Sequence, residues 1–199
     1  AYTGVLLMVD HGIPPLFSLA IVVVLSALAA VAIGLPAFRL HGVFFVMTTI
    51  AFAEMFRVAL LNFESVTHGA RGLNVPFMET DALFLQFEGR RQWYYLFLAV
   101  LVLVAAIHAW ISRSRLGYGL RALREDEVAA RAYGIRTEMV KLVAFVISAT
   151  ITAAVGLLSA FYIGYIDPYS VAGIPLSIKM AVMAIVGGRD STVGGLIGA

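Results

Sequence analysis

Apolar positions in this chain come in long unbroken runs, and charged residues are confined largely to the gaps between them. Pro14 to Phe38 holds 25 residues without a charge. At about 1.5 Å per helical residue that run crosses a hydrocarbon core of about 30 Å. Leu40 to Asn62 is a second apolar run, broken only by His41, Glu54 and Arg57, while Trp93 to Ser112 and Leu142 to Ile166 carry no charge over 20 and 25 residues. A fifth, less regular run from Val171 to Ala199 contains Lys179, Arg189 and Asp190. The pattern predicts membrane spans at 14–38, 40–62, 93–112, 142–166 and 171–199, with the tail of another in "GVLLMV". Lipid offers no partner to a free backbone N–H or C=O, so these spans are predicted as helices. The short "RLH" turn makes the first two full spans an antiparallel hairpin. The expected fold is an all-α, polytopic membrane bundle, a single transmembrane domain over 1–199.

Loop charge orients this bundle. The segment from Ser112 to Lys141 has seven Lys or Arg, and that from Phe63 to Gln92 has three. The positive-inside rule therefore places loop 113–141 in the cytoplasm and loop 63–92 outside, with Arg39 inside and Asp167 outside. Trp93, Tyr94 and Tyr95, and Trp110 at the other end of the same span, read as interfacial anchors. Ser148, Thr152, Gly156, Ala160 and Gly164 recur every four residues. They are read as a small-residue helix-packing face, with a pore wall as the other reading.

Composition agrees with the pattern. Hydrophobic residues make up 61% of the 199 and charged residues 13%, and the mean hydropathy is +0.94, far from a soluble domain. With no cysteine, disulfides and thiolate metal sites are excluded. The net charge of +2 is not gathered into a stripe suited to nucleic acid. The opening "AYTGVLLMVD" has neither an initiator Met nor a basic leader, and "GGLIGA" ends in apolar sequence. Both lead us to expect a fragment, incomplete at both ends.

Catalytic chemistry finds little footing. His11, His41, His68 and His108 are scattered, with no HExxH and no compact acidic partner cluster. "GGRDSTVGG" at 187–195 lacks the Gly-Lys-Ser/Thr ending of a phosphate loop and reads as a broken helix or backbone packing. Glu54 and Arg57 share one helix face and can pair. Charges within a span face a bundle interior or wet cavity, so the pair belongs either to a translocation pathway, with Thr48 and Thr49, or to a structural ion pair. In the outer loop, "HGARGLNVP" is punctuated by Gly69, Gly72 and Pro76 and reads as a partner site or a plain connector.

The cytoplasmic loop is the unusual stretch. In "LRALREDEVAARAYGI", Asp126 is a helix N-cap, Glu127 begins a short helix and Gly134 ends it. Ala129, Ala130, Ala132 and Tyr133 give this helix a small, smooth surface flanked by charge. An Ala face inserts poorly into lipid, so a docking element for a soluble partner fits better than a membrane-surface helix.

That segment, followed by "KLVAFVISATITAAVGLLSAFYIGYIDPYS", resembles the permease subunits of branched-chain amino acid ABC importers. "RLHGVFFVMTTIAFAEMFR", "GLNVP" and "VGGRDSTVGGLIGA" are similar to the same family, and the long outer loop resembles the second of its two paired permeases. In ABC importers in general the corresponding loop carries a Glu-Ala-Ala-xxx-Gly motif whose short helix fits a cleft in the ATPase. Here Ala129, Ala130 and Gly134 match it, while Val128 stands at the Glu position. Arg121, Arg124, Glu125, Asp126 and Glu127 then supply a polar rim. The resemblance implies a second permease, two cytoplasmic ATP-binding subunits, an external solute-binding protein, and a bacterial-type inner membrane. It implies ATP and Mg on the partner subunits and no cofactor on this chain, a transport subunit rather than an enzyme. Leu, Ile and Val are the implied solutes. Urea or short amides, an ion-coupled transporter working through Glu54, and a non-transport scaffold are the alternatives.

Overall fold

In chain order the helices are α1 (Tyr2–His11), α2 (Pro15–Ala37), α3 (Val43–Asn62), α4 (Arg90–Ser112), α5 (Arg115–Glu125), α6 (Glu127–Ala132), α7 (Thr137–Ile163), α8 (Pro168–Ala172) and α9 (Ile174–Val186). A 3-10 turn at Gly69–Arg71 and two short strands, β1 (Leu73–Asn74) and β2 (Tyr165–Ile166), complete them. This computed structural model describes residues 1–40, 42–63, 67, 69–75, 87, 89–188, 194 and 198. Part of the outer-loop motif and most of the 187–195 motif lie outside the described residues.

Among the described residues, five stretches are long and apolar enough to cross a bilayer: α2, α3, α4, α7 and Pro168–Val186. Their surfaces remain largely apolar and uncovered, as Phe17, Leu28, Phe44 and Val102 illustrate. That is the arrangement a hydrocarbon solvent permits and water does not.

Helices α2 and α7 run antiparallel. At one end a Cβ on Gly34 would come within 2.8 Å of Leu142 and 3.3 Å of Phe145. At the other, Leu157 and Val22 both close on Gly4 of α1. Glycine at positions 34 and 4 thus lets neighbouring side chains settle directly against backbone. The buried core sits at this second end and unites Tyr2, Val5, Met8, Val22, Leu73, Trp93, Leu157, Phe161 and Ile166. Arg39 and residues 113–141 therefore lie at the first end, and the turn at 69–75 and Asp167 at the second.

The strands lock the second end. Leu73 pairs with Ile166 and Asn74 with Tyr165, antiparallel, and the Val75 N–H donates to the Gly164 carbonyl at 2.9 Å. Gly72 enters this ribbon at φ +69°, where a Cβ would lie 2.6 Å from the Ile166 carbonyl oxygen. Both the dihedral and the space require glycine.

Three expectations are corrected. Trp93 is not an interfacial anchor: it is 7% exposed, donates its indole N–H to the Phe87 carbonyl at 3.0 Å, and meets Phe97 and Tyr162 ring to ring. Tyr94, Tyr95 and Trp110 are exposed. The small-residue series on α7 does not form one buried face within this chain. Ser148 and Thr152 are exposed, Gly156 lies near Ala1, Ala160 is buried, and Gly164 is the left-handed cap beyond the helix. Four residues advance an α-helix by a turn plus about 40°, so a long i, i+4 series winds around the helix. The fifth span begins at Pro168 and is interrupted at Gly173. Pro175 explains the break, because its ring would strike the carbonyl four residues back if the helix continued.

Candidate functional site

The charged loop builds a small, well-braced projection at the first end of the bundle. Ser114 caps α5 by accepting the Gly117 N–H, and Arg121 reaches back to donate to the Ser112 carbonyl at 2.8 Å. The Arg121 guanidinium also lies 5.4 Å from the Tyr118 ring centre. Asp126 has extended backbone angles, φ −157° and ψ 117°, and turns the chain out of α5. Its Oδ1 accepts the N–H groups of Val128 at 2.7 Å and Ala129 at 3.0 Å, satisfying donors that a helix start leaves open.

The six residues of α6 are too few to persist alone. The Glu127 carboxylate holds them to the start of α7, 2.6 Å from the Lys141 ammonium and 3.4 Å from Arg131. Arg131 also donates to the Thr137 hydroxyl at 3.1 Å. Gly134, at φ +82°, lets the Ile135 N–H return to the Ala130 carbonyl at 3.1 Å and closes the helix.

This bracing sorts the loop residues. Arg121, Asp126 and Glu127 are engaged within the chain, and Arg124 and Glu125 form an exposed pair at 3.2 Å. Ala130 is 4% exposed and faces inward, so it is no part of the outer surface expected for it. With about 3.6 residues per turn, contact of α6 with α7 requires one face to point in, and Ala130 lies on that face. Ala129 and Ala132 are exposed, as are Val128 at 80% and Tyr133 at 88%. Val128 and Tyr133 thus stand out as exposed apolar side chains among the charged loop residues, with Val128 at the position where the generic importer motif has Glu. The exposure of Val128 was not legible from the motif, which drew notice to that residue only as a departure.

A second cluster lies within α3. The Arg57 Nη2 and Nε both approach Glu54 Oε2, at 2.7 and 2.9 Å. The guanidinium is stacked 5.5 Å from the ring centre of Tyr169 on α8. The sequence placed Glu54 beside Arg57; Tyr169, 112 positions beyond Arg57 along the chain, was missed because only the fold unites them. Thr48 and Thr49 are half-buried two turns earlier on α3, and Thr49 spends its hydroxyl on the Val46 carbonyl at 2.9 Å. The structure does not bring either Thr to the ion pair: the contacts of Glu54 and Arg57 run to each other and to Tyr169. Among the described residues no group of three or more His, Asp or Glu is placed to hold a metal.

Comparison with known proteins gives this arrangement a context. The family model described as branched-chain amino acid transport system, permease component, matches residues 1–199. The high-affinity branched-chain amino acid transport system permease protein LivM of Escherichia coli strain K12 is 30% identical over 96% of this chain and 50% of its own length. The corresponding LivH protein of Salmonella typhimurium is 31% identical over 71% of this chain and 47% of its own. The autoinducer 2 import system permease protein LsrC of Salmonella paratyphi B is 29% identical over 54% of this chain and 31% of its own. No solved structure matches the chain. The chain spans about half the length of the LivM proteins it matches.

Proposed function

The chain belongs to the family of branched-chain amino acid transport system permease components, and from that premise we propose that it forms part of the membrane pathway of an ATP-driven importer of Leu, Ile and Val. A single observation carries the reading: a braced helical projection that exposes Val128 and Tyr133, at one end of a bundle of apolar helices. Such a projection suits the transmission of force from a soluble partner.

In this reading loop 113–141 is cytoplasmic and loop 63–92 external, in agreement with the Lys and Arg distribution. The partners are a second permease, two ATP-binding subunits that hold ATP and Mg, and an external solute-binding protein. ATP closes the two ATP-binding subunits, which displaces α5 and α6. Their bracing to α7 passes the movement into the span and switches access between the two sides. The switch follows the differential affinity of the partners for the two states. Arg121, Arg124, Glu125, Asp126 and Glu127 shape the projection, Ala129 and Gly134 permit close docking, and Ala130 seats it. Thr48, Thr49, Glu54 and Arg57 are assigned to the pathway.

A different small solute, such as urea or a short amide, is the second reading. It draws support from the range of the family, since one related permease is named for import of autoinducer 2.

The test is uptake by the complete assembly in proteoliposomes, supplied with ATP on the side of the ATP-binding subunits. ATP-dependent accumulation of labelled leucine is expected for the wild type. Gly134→Pro, or charge reversal at both Arg121 and Arg124, should leave insertion intact while ATP hydrolysis no longer drives uptake. Normal uptake by these variants would overturn the docking role. Accumulation of urea or an amide in preference to leucine would establish the second reading.

A further inference from the structure

We infer that Glu54, Arg57 and Tyr169 form a binding site for the charged head of a zwitterionic amino acid on its way through the membrane; the inference rests on the importer function proposed above. A span carrying both signs of charge needs a reason, because a lone charge there is expensive and even a matched pair repays its desolvation only with good geometry. Self-neutralisation alone would favour a sealed contact using both carboxylate oxygens. The observed contact is not sealed. The side chains retain 24% and 31% of their exposure for Arg57 and Glu54. Arg57 Nη2 and Nε both approach Glu54 Oε2, at 2.7 and 2.9 Å.

Position adds to this. Glu54 lies eight residues before the last residue of α3, and Arg57 five residues before it. At about 1.5 Å per residue they sit about 12 and 8 Å inside the span's outer end. The ring that stacks on Arg57 comes from α8, the short arm of the broken helix. The cluster therefore spans a junction between two elements, and an interrupted helix is where membrane transport proteins can place polar groups within reach of a solute.

The chemistry selects the ligand class. A guanidinium presents a planar fork of N–H donors matched to a carboxylate. An ionised carboxylate has lone pairs for more than one donor, so Glu54 can also accept from an ammonium. An α-amino acid carries both ionic groups on one carbon, so a single molecule can lay its carboxylate on Arg57 and its ammonium on Glu54. The two dipoles are then opposed, and no net charge enters the span. The Tyr169 ring, its centre 5.5 Å from the guanidinium carbon, holds that group by cation–π attraction. A uniformly cationic or anionic solute would meet one attractive and one repulsive partner.

The experiment uses the complete assembly in proteoliposomes with labelled leucine as the probe. E54Q/R57Q removes both charges at nearly constant shape, and E54R/R57E keeps an ion pair at the same spacing. In each, subunit assembly and thermal stability are expected to match the wild type while uptake falls more than tenfold. A purely structural pair would behave differently: neither variant would lower uptake by more than twofold, and that result overturns the site. If the uncharged variant fails to assemble, the charge-swapped one decides by the same criterion. Absence of ATP-driven leucine uptake in the wild type itself would instead overturn the function on which the inference rests.

Discussion

The Glu127 carboxylate lies 2.6 Å from the Lys141 ammonium, joining the first residue of α6 to the second turn of α7. With the Asp126 cap and the Arg131–Thr137 hydrogen bond, this contact makes a six-residue helix part of a much longer one. In the proposed importer, what acts on α6 would act on a span through this bracing, as on a lever.

The two holds on that lever can be separated. Asp126→Ala removes an acceptor shared by two backbone N–H groups, at a cost of about 1 kcal/mol. Hydrogen exchange of the Val128 and Ala129 amides should then quicken about fivefold. Lys141→Met removes a partly exposed ion pair and should cost less, roughly 0.2–1 kcal/mol, with an effect that fades in high salt. Equal exchange in wild type and Asp126→Ala would show that the cap does not hold α6.

The outer face of α6 should matter for partners and not for folding. Val128→Ser and Tyr133→Ser alter side chains that are 80% and 88% exposed. Unfolding free energy should shift by no more than about 0.5 kcal/mol, while co-purification of the ATP-binding subunits falls severalfold. Ala130→Leu should do the reverse at first hand: it overfills a buried seat and costs roughly 1–3 kcal/mol. Unchanged co-purification of the two Ser variants would remove Val128 and Tyr133 from the contact.

Two glycine substitutions isolate a steric contribution. Gly134→Ala meets no atom within 4 Å and suffers only from its positive φ, about 1 kcal/mol. Gly72→Ala bears the same backbone strain and also drives a Cβ into the Ile166 carbonyl. The drop in melting temperature should be clearly larger for Gly72→Ala. Equal drops would mean that the ribbon between β1 and β2 yields freely.

Trp93 should behave as a core residue. Trp93→Ala is expected to destabilise by about 3–5 kcal/mol. Trp93→Phe keeps a ring against Phe97 and Tyr162 but leaves the Phe87 carbonyl without its donor, a loss of about 1–3 kcal/mol. Thermal unfolding in detergent would measure both. An interfacial anchor would show little change in either variant.

Much of this architecture is written in one-dimensional pattern. Uncharged runs of 20 and 25 residues leave a bilayer-crossing helix as the stable solution, since backbone groups in lipid must bond within the segment. Asp126 and Gly134 announce the limits of α6 because capping is local chemistry, complete within three or four residues. The ion pair of Glu54 with Arg57 was legible for the same reason, one helical turn being enough to bring them together.

Tertiary structure decided which faces these helices turn to each other. Trp93 has the composition of an anchor and the surroundings of a core, because Tyr162 and Phe97 close over it from two helices. Ala130 belongs to the same Ala-rich run as Ala129, yet only Ala130 is buried, because α6 meets α7 on that side. Tyr169 reaches Arg57 across more than a hundred residues. Hydrophobicity sets how deep a residue lies in a membrane protein, but inside a bilayer every apolar face finds a compatible solvent. Rotation of a helix about its axis is therefore fixed by shape and by a few polar contacts, and those exist only once the helices are assembled.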